Sequence, residues 1–186
     1  MGPQGSGKGT QVELLQTKLT QAGGTVVDVQ TGRLFRALAA GDSYAGAQVA
    51  ALINAGQLVP DTFTNAMWIN DLTDRLSKEA HLTFDGVPRT VGQAQVVDDM
   101  LQFFCRLDIS VINLNVPEDV VVERMLERGR ADDTSESIAQ RLSLYTKDTL
   151  PVLDHYRAKA GVIVHDIDGA QTPAQVHAAI CAALEV

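Results

Sequence analysis

The stretch Gly2-Pro3-Gln4-Gly5-Ser6-Gly7-Lys8-Gly9-Thr10 fits the pattern G-x-x-x-x-G-K and runs directly into an amphipathic segment with Val12, Leu15 and Leu19 on one face. Glycines let successive backbone N–H groups curl around phosphate oxygens, and the helix that follows adds the partial positive charge of its N-terminus. Lys8 stands where an ammonium reaches the outer phosphates of a triphosphate. Gly9 takes the place where most such loops carry Ser or Thr, so a divalent cation here leans on phosphates, waters and a carboxylate. The bland alternative is a flexible glycine turn ahead of a helix, and the rest of the chain decides between the two.

Outward from the loop, four β-branched or apolar runs read as strands: 25–30, 82–85, Ile109–Asn115 and 162–167. Between them lie helical patterns, with Ala94, Val97, Leu101 and Phe104 at spacings of three and four, and Val176, Ile180, Ala183 and Leu184 near the end. Thr172-Pro173-Ala174-Gln175 opens that last helix with a capping threonine, a proline at the first position and a glutamine three residues after the cap. Strands alternating with helices imply parallel pairing through right-handed crossovers, a layered α/β fold. The segment between residues 31 and 80 has no strand pattern, and its helices break at Gly41-Asp42-Ser43 and at Gly56, as a helical flap would.

A chain of 186 residues is expected to form one compact domain, burying roughly 70% of its unfolded surface. Its 15 basic and 23 acidic side chains give a net charge of −8, which argues against a surface built to coat polynucleotide or anionic membrane. No apolar run approaches the roughly 20 residues that span a bilayer, and no basic-then-apolar leader opens the chain, so a cytoplasmic protein is expected. Cys105 and Cys181 form neither a CxxC pair nor a metal quartet; they read as small buried thiols, with no disulfide scaffold and no zinc.

Further constellations follow the loop in order. Thr31-Gly32 follows the first strand and Arg36 lies one helical turn beyond Gly32, so a hydroxyl and a guanidinium can face one ligand; a helix cap with a solvated arginine is the plainer reading. Asp85 ends a strand and Arg89 follows a Gly86-Val87-Pro88 turn, at the sheet edge where α/β folds bind ligands. A guanidinium suits a phosphate through two parallel hydrogen bonds, whereas an Asp–Arg surface pair contributes little. Thr90-Val91-Gly92-Gln93 is a capping box, in which Gln93 could reach back to the Thr90 N–H. Pro117-Glu118-Asp119 begins a helix that carries Arg124 and Arg128 on one face and stops at Gly129. Arg130, then Asp132-Asp133-Thr134, lead into a second helix with Ile138, Leu142 and Tyr145 inward and Arg141 near its edge. An acidic protein that gathers four arginines on one hairpin fits a polyphosphate ligand better than a solvated turn.

Taken together, Gly2 to Gln11, Thr31-Gly32-Arg33-Leu34-Phe35-Arg36, Gly56-Gln57-Leu58-Val59-Pro60-Asp61, Asp85 to Ala94 and Arg124 through Arg141 resemble, in order, the motifs of adenylate kinases and their nucleoside-monophosphate kinase relatives of the short-lid type. The resemblance implies a P-loop fold, a parallel sheet flanked by helices, and a single kinase domain over 1–186 with an acceptor-binding flap at 31–60 and a short lid at 128–134. It implies magnesium-dependent, reversible phosphoryl transfer from ATP to AMP giving two ADP. By the same resemblance, Gly5, Ser6, Gly7, Lys8, Gly9, Thr10, Arg124 and Arg128 would bind ATP, with Arg124 against the donor adenine. Thr31, Gly32, Arg36, Gln57, Val59, Gly86, Arg89 and Gln93 would bind AMP, with Gln93 at the adenine edge. Lys8, Arg89, Arg128, Arg130 and Arg141 would carry the catalytic charge, Asp132 and Asp133 would support the lid, and Asp85 would hold magnesium through water. The implied partners are ATP, AMP and ADP, without nucleic acid or membrane, in a monomer. A UMP/CMP kinase shares nearly every phosphate-binding residue and stays as the alternative, although Thr90 and Gln93 favour AMP. Val87 stands where the family usually has phenylalanine, which would loosen packing near the acceptor phosphate.

One departure gives rise to a third reading, a nucleotide-binding protein with little catalysis. In the family the phosphate loop hangs from a buried central strand, and here Met1 immediately precedes the loop. Several buried apolar side chains, each worth roughly 1.5 to 3 kcal/mol, would then be absent from a domain stable by only about 5 to 15 kcal/mol. The expectation is a start upstream of Met1, and a chain that gains stability and activity when a short apolar strand is prepended.

Overall fold

In the computed structural model, which describes residues 1–130 and 132–186, helices and strands alternate as the periodicity requires. Helix α1 (Lys8–Gln21) follows the glycine loop, β1 (Val26–Gln30) leads straight into α2 (Thr31–Ala39), and α3 (Tyr44–Asn54) and α4 (Asp61–Thr73) complete the strandless segment. Then come β2 (His81–Asp85), α5 (Val91–Phe103), β3 (Ile109–Asn115), α6 (Glu118–Arg128) and α7 (Ser135–Leu144). A π-helical turn at Tyr145–Thr149 runs into α8 (Leu150–Ala158), and β4 (Val162–Asp168) and α9 (Pro173–Leu184) close the chain. Each strand lies within a residue of its expected limits. Among the described residues no helix is long and apolar enough to cross a membrane.

The caps read from sequence form. Thr172 accepts from the Gln175 N–H while Gln175 reaches back to the Thr172 N–H, closing the capping box of α9. Ser43 caps α3 and Thr134 caps α7, and Gly129, at φ 60°, terminates α6. Arg75 sits in the turn after α4, where it bonds the Asp28 carbonyl and pairs with Asp71. One local reading needs correction: Cys105 is exposed just past the end of α5 and Cys181 is half-buried, so the pair are not both core thiols.

All strand pairing is parallel, but the strands form two pairs rather than one sheet. β1 lies beside β2, from Val26 opposite His81 to Gln30 opposite Asp85. β3 lies beside β4, from Ile109 opposite Val162 to Asn115 opposite Asp168. β2 and β3 do not pair. Between their inner edges runs a slot of about 450 Å³, lined by Leu15 and Leu19 of α1, Phe84, Leu101, Ile112 and Tyr156. Met1 enters one end of it: its nitrogen donates to the Ile112 carbonyl and its carbonyl accepts from Leu114 N–H at 3.0 Å. Bonds to the residues on either side of Asn113 are the signature of a parallel bridge. The loop therefore hangs from one rung of a ladder, and the remaining strands do not close the gap.

The core divides accordingly. Val27, Val29, Trp68, Leu72, Val87 and Val97 pack on the β1–β2 side, with Trp68 edge-on to Phe84. Val111, Val152, Leu153 and Tyr156 pack beneath β3, and Leu114, Ile167, Val176 and Ile180 on its far face. Val87 is only 4% exposed in the first of these clusters, and it also lines the slot between the strand pairs.

Candidate active site

The loop is shaped by positions that exclude a side chain. Gly5 has φ +87°, and a Cβ there would lie 2.8 Å from Met125 Cγ and 2.9 Å from the Val121 carbonyl. Only glycine lets the loop pass that closely over α6. Above it opens a cavity of about 540 Å³, within the range of small-molecule sites.

Lys8 is folded across its own loop. Its Nζ donates to the Gly2 carbonyl at 2.8 Å, the Pro3 carbonyl at 2.7 Å and Ser6 Oγ at 3.5 Å. Burial pushes the ammonium down to about 8; Asp85 counteracts this, while Arg89 and Arg128 add to it. Arg89, on the turn after β2, donates from Nε to the Gly86 carbonyl at 2.9 Å, and its own carbonyl accepts from Thr149 Oγ1 at 3.0 Å. Burial also lowers the Arg89 guanidinium; Asp85 counteracts this, while Arg141 and Arg36 add to it. Both cations thus rest on neutral oxygens.

Opposite, Arg128 and Arg141 are matched by carboxylates. Asp133, its side chain fully covered, accepts from Arg128 Nε and Nη2 at 2.9 and 2.8 Å and from Arg141 Nη1 at 2.9 Å. Burial alone would raise this carboxyl, but the Arg128 hydrogen bond and charge, the Arg130 N–H and Arg141 hold it below the usual range. Arg141 also pairs with Asp132 and donates to the Ile53 carbonyl at 3.1 Å. It is 7% exposed, a buried anchor rather than the edge residue expected from helical spacing. Arg130 is exposed beside it. Within the expected lid range 128–134, residue 131 lies outside the described residues.

The acceptor side joins the same cavity. Gly32, Arg36, Gln57, Val59, Gly86, Arg89 and Gln93 line it together with Gly5 through Thr10, Asp85, Arg124, Arg128, Arg130, Asp132 and Arg141. Arg36 folds back against Gly32, where a Cβ would stand 3.1 Å from its Nη1. Thr31 does not line the cavity: it is 1% exposed, its Oγ1 has no partner, and a Cβ on Gly86 would lie 2.5 Å from it. The Thr31 hydroxyl thus lies against the Gly86 turn with no hydrogen-bond partner among the described residues. Gln93 is 2% exposed, and its Oε1 accepts from the Arg89 N–H at 2.8 Å, one residue earlier than the capping-box reading had it.

Further residues line the cavity. Phe35, Ile53 and Thr64 come from α2, α3 and α4. Gly169, Gln171, Pro173 and Val176 come from the β4–α9 connection, where Arg124 donates to the Gly169 and Ala170 carbonyls at 2.8 and 3.2 Å. A planar guanidinium held flat by two carbonyls makes a wall for an aromatic base. Asp61, which bonds Thr90 and Gln93, was missed as well; standing at the end of the Gly56 to Asp61 motif, it was open to notice only for its place there.

For a divalent cation, the available protein donor is Asp85, whose Oδ2 lies 3.8 Å from where a Cβ on Gly9 would be. Among the described residues no three His, Cys, Asp or Glu converge. That set fits a magnesium ion carried by substrate phosphates and waters and steadied by one carboxylate, the usual mode for this ion.

The family model described as adenylate kinase matches residues 1–161. An adenylate kinase of Corynebacterium aurimucosum is 45% identical over 157 residues, 84% of this chain and 83% of the relative. One from Corynebacterium glutamicum (strain R) is 42% identical over 159 residues, 86% of this chain and 84% of its own. One from Rhodopirellula baltica is 39% identical over 189 residues, 99% of this chain and 92% of its own.

Proposed function

The chain belongs to the adenylate kinase family and transfers the γ-phosphoryl group of ATP reversibly to AMP, giving two ADP; we propose how its residues divide that work. The carrying observation is the convergence of Lys8, Arg36, Arg89, Arg124, Arg128, Arg130 and Arg141 on one cavity in a protein of net charge −8. Phosphoryl transfer runs through a loose transition state, so alignment and charge do most of the catalysis and no general base is demanded.

In this reading the loop N–H groups from Gly5 to Thr10 hold the ATP phosphates, and Lys8 exchanges its carbonyl partners for phosphate oxygens. Arg124 backs the donor adenine. Arg36 and Arg89 grip the AMP phosphate from the acceptor side, Gln57 and Val59 line the base pocket, and Gln93 reads the base. Arg128, Arg130 and Arg141 steady the group in transit, with Asp132 and Asp133 fixing their directions. When bound, magnesium would neutralise charge between the β- and γ-phosphates, with Asp85 orienting its waters. The flap at 31–60 and the lid at 128–134 would close over both nucleotides and keep water from the phosphoryl group. We further propose a monomer acting in the cytoplasm.

A coupled assay with ATP, magnesium and each of AMP, CMP, UMP and GMP tests this. Fastest turnover with AMP is expected. Equal or faster turnover with CMP or UMP would transfer the reading to a pyrimidine-nucleotide kinase, and tight ATP binding without transfer to any acceptor would refute catalysis.

A further inference from the structure

Asp61 stands at the first position of α4, beside the N-terminus of α5, two helix ends that both favour a carboxylate. Its Oδ1 accepts from Gln93 Nε2 at 2.8 Å, and its Oδ2 accepts from Thr90 Oγ1 at 2.5 Å. Thr90 Oγ1 in turn accepts the Gln93 N–H at 3.1 Å, capping α5. On the other end of the same amide, Gln93 Oε1 accepts the Arg89 N–H at 2.8 Å.

A carboxylate can only accept and a backbone N–H can only donate. The two contacts therefore admit a single orientation of the Gln93 amide: turning it over would set its oxygen against Asp61 and its NH₂ against the Arg89 N–H. One N–H and one oxygen lone pair remain for a ligand in the cavity that Gln93 lines, in a fixed order. A 6-aminopurine offers a donor at its exocyclic nitrogen and an acceptor at N1, and that order complements it. A 6-oxopurine offers the reverse, an acceptor at O6 and a donor at N1, and would need the amide turned over.

We propose that Asp61 is a specificity-positioning residue that locks the Gln93 amide in the orientation that reads a 6-amino base and rejects a 6-oxo base. The proposal rests on the reading of Gln93 as the residue at the acceptor base edge. Asp61 touches no reacting atom; it acts on the base through Gln93, held directly and through the Thr90 cap.

The test is steady-state kinetics with ATP and either AMP or inosine monophosphate, for the wild type, Asp61→Asn, Gln93→Leu and the double variant. An asparagine side chain has the same size, and its own amide can turn to donate or accept. Asp61→Asn should lower the ratio of kcat/KM for AMP to that for inosine monophosphate by about tenfold or more. The change should lie in the two KM values, with kcat for AMP within about twofold. Gln93→Leu should lower the ratio at least as far, and the double variant no further than Gln93→Leu, because the two act as one unit. If Gln93→Leu lowers the ratio and Asp61→Asn does not, the lock is refuted while the base-reading role of Gln93 stands. If neither changes it, both fall. A merely structural Asp61 would depress kcat/KM for both acceptors alike and leave the ratio intact, which also overturns the proposal. Should Asp61→Asn fail to fold, as read by thermal unfolding, Asp61→Ser removes the same fixed acceptor and is judged by the same ratio.

Discussion

The floor and the rim of the nucleotide cavity both present cations, but they hold them by opposite means. On the floor, Lys8 and Arg89 are half-buried against carbonyl and hydroxyl oxygens, with no carboxylate within ion-pair distance among the described residues. On the rim, Arg128 and Arg141 are clamped by Asp132 and Asp133 before any ligand arrives. A half-buried cation with only the Asp85 charge nearby, and no carboxylate paired to it, gains most from an arriving anion, so the floor is expected to draw phosphate in. A paired cation is already compensated, and a phosphate gains from it chiefly through position. The floor supplies charge and the rim supplies direction.

The sharpest way to break this contrast is to remove a floor cation. Lys8→Ala should lower kcat by about a hundredfold or more. Arg89→Ala should lower kcat and also raise KM for AMP, because it grips the acceptor. Wild-type kinetics in either variant would remove that residue from the centre.

Next in size is the support beneath the floor. An N-terminal extension of about five apolar residues, directed into the slot between β2 and β3, would bury side chains worth roughly 1.5 to 3 kcal/mol each. Thermal unfolding of the extended and unextended chains should differ by about 10 °C, with higher activity in the extended form. Equal melting and equal turnover would show that the single rung at Met1 suffices to carry the loop.

Protonation separates floor from rim more finely. Phosphate favours the charged ammonium, so bound Lys8 titrates above its free value of about 8. ATP affinity should be full below pH 8 and weaken above it by at most about tenfold per unit until the bound value is reached. Calorimetry in buffers of different ionisation heat should detect proton uptake near pH 8, absent in Lys8→Ala. An affinity that stays flat from pH 7 to 9 would contradict a Lys8 ammonium lowered to about 8.

On the rim the sign reverses. Asp133 is held below its ordinary 3.8, so its contribution to stability is full above that pH and is lost as pH falls through the lower folded-state value. Asp133→Asn should melt a few degrees below the wild type at pH 7, a difference that shrinks below about pH 4, with a severalfold change in KM for ATP. Arg75→Ala, at a partly exposed pair with Asp28 and Asp71 away from the cavity, should change activity little and stability by about 1 kcal/mol at most. If the Arg75 variant altered kinetics as much as the Asp133 variant, the rim would have no special standing.

What could be read before folding was local. The glycine loop, the strand limits, the caps at Thr172 and Thr90, and the stop at Gly129 each follow from backbone preferences or hydrogen bonds a few residues apart. Arg36, Arg89, Arg124 and Arg128 were nameable because each stands at a set distance from such a signal. Thr31 lies beneath Gly86, a neighbour that helical spacing could not supply because it arrives from the end of another strand. Arg141 looked like an edge residue until Ile53, Asp132 and Asp133 enclosed it.

The sequence alone determined an α/β chain with a phosphate-binding loop and the arginines of a nucleotide kinase, because dihedral preferences, periodicity and motif spacing are properties of short segments. Only the tertiary structure decided which charges are compensated, how Gln93 is turned, and that the strands stand as two pairs with a slot between them. Those outcomes depend on partners 32 residues apart, as Asp61 and Gln93 are, or 111, as Met1 and Ile112 are. Their energies come from burial and hydrogen-bond geometry that exist only once distant segments have met.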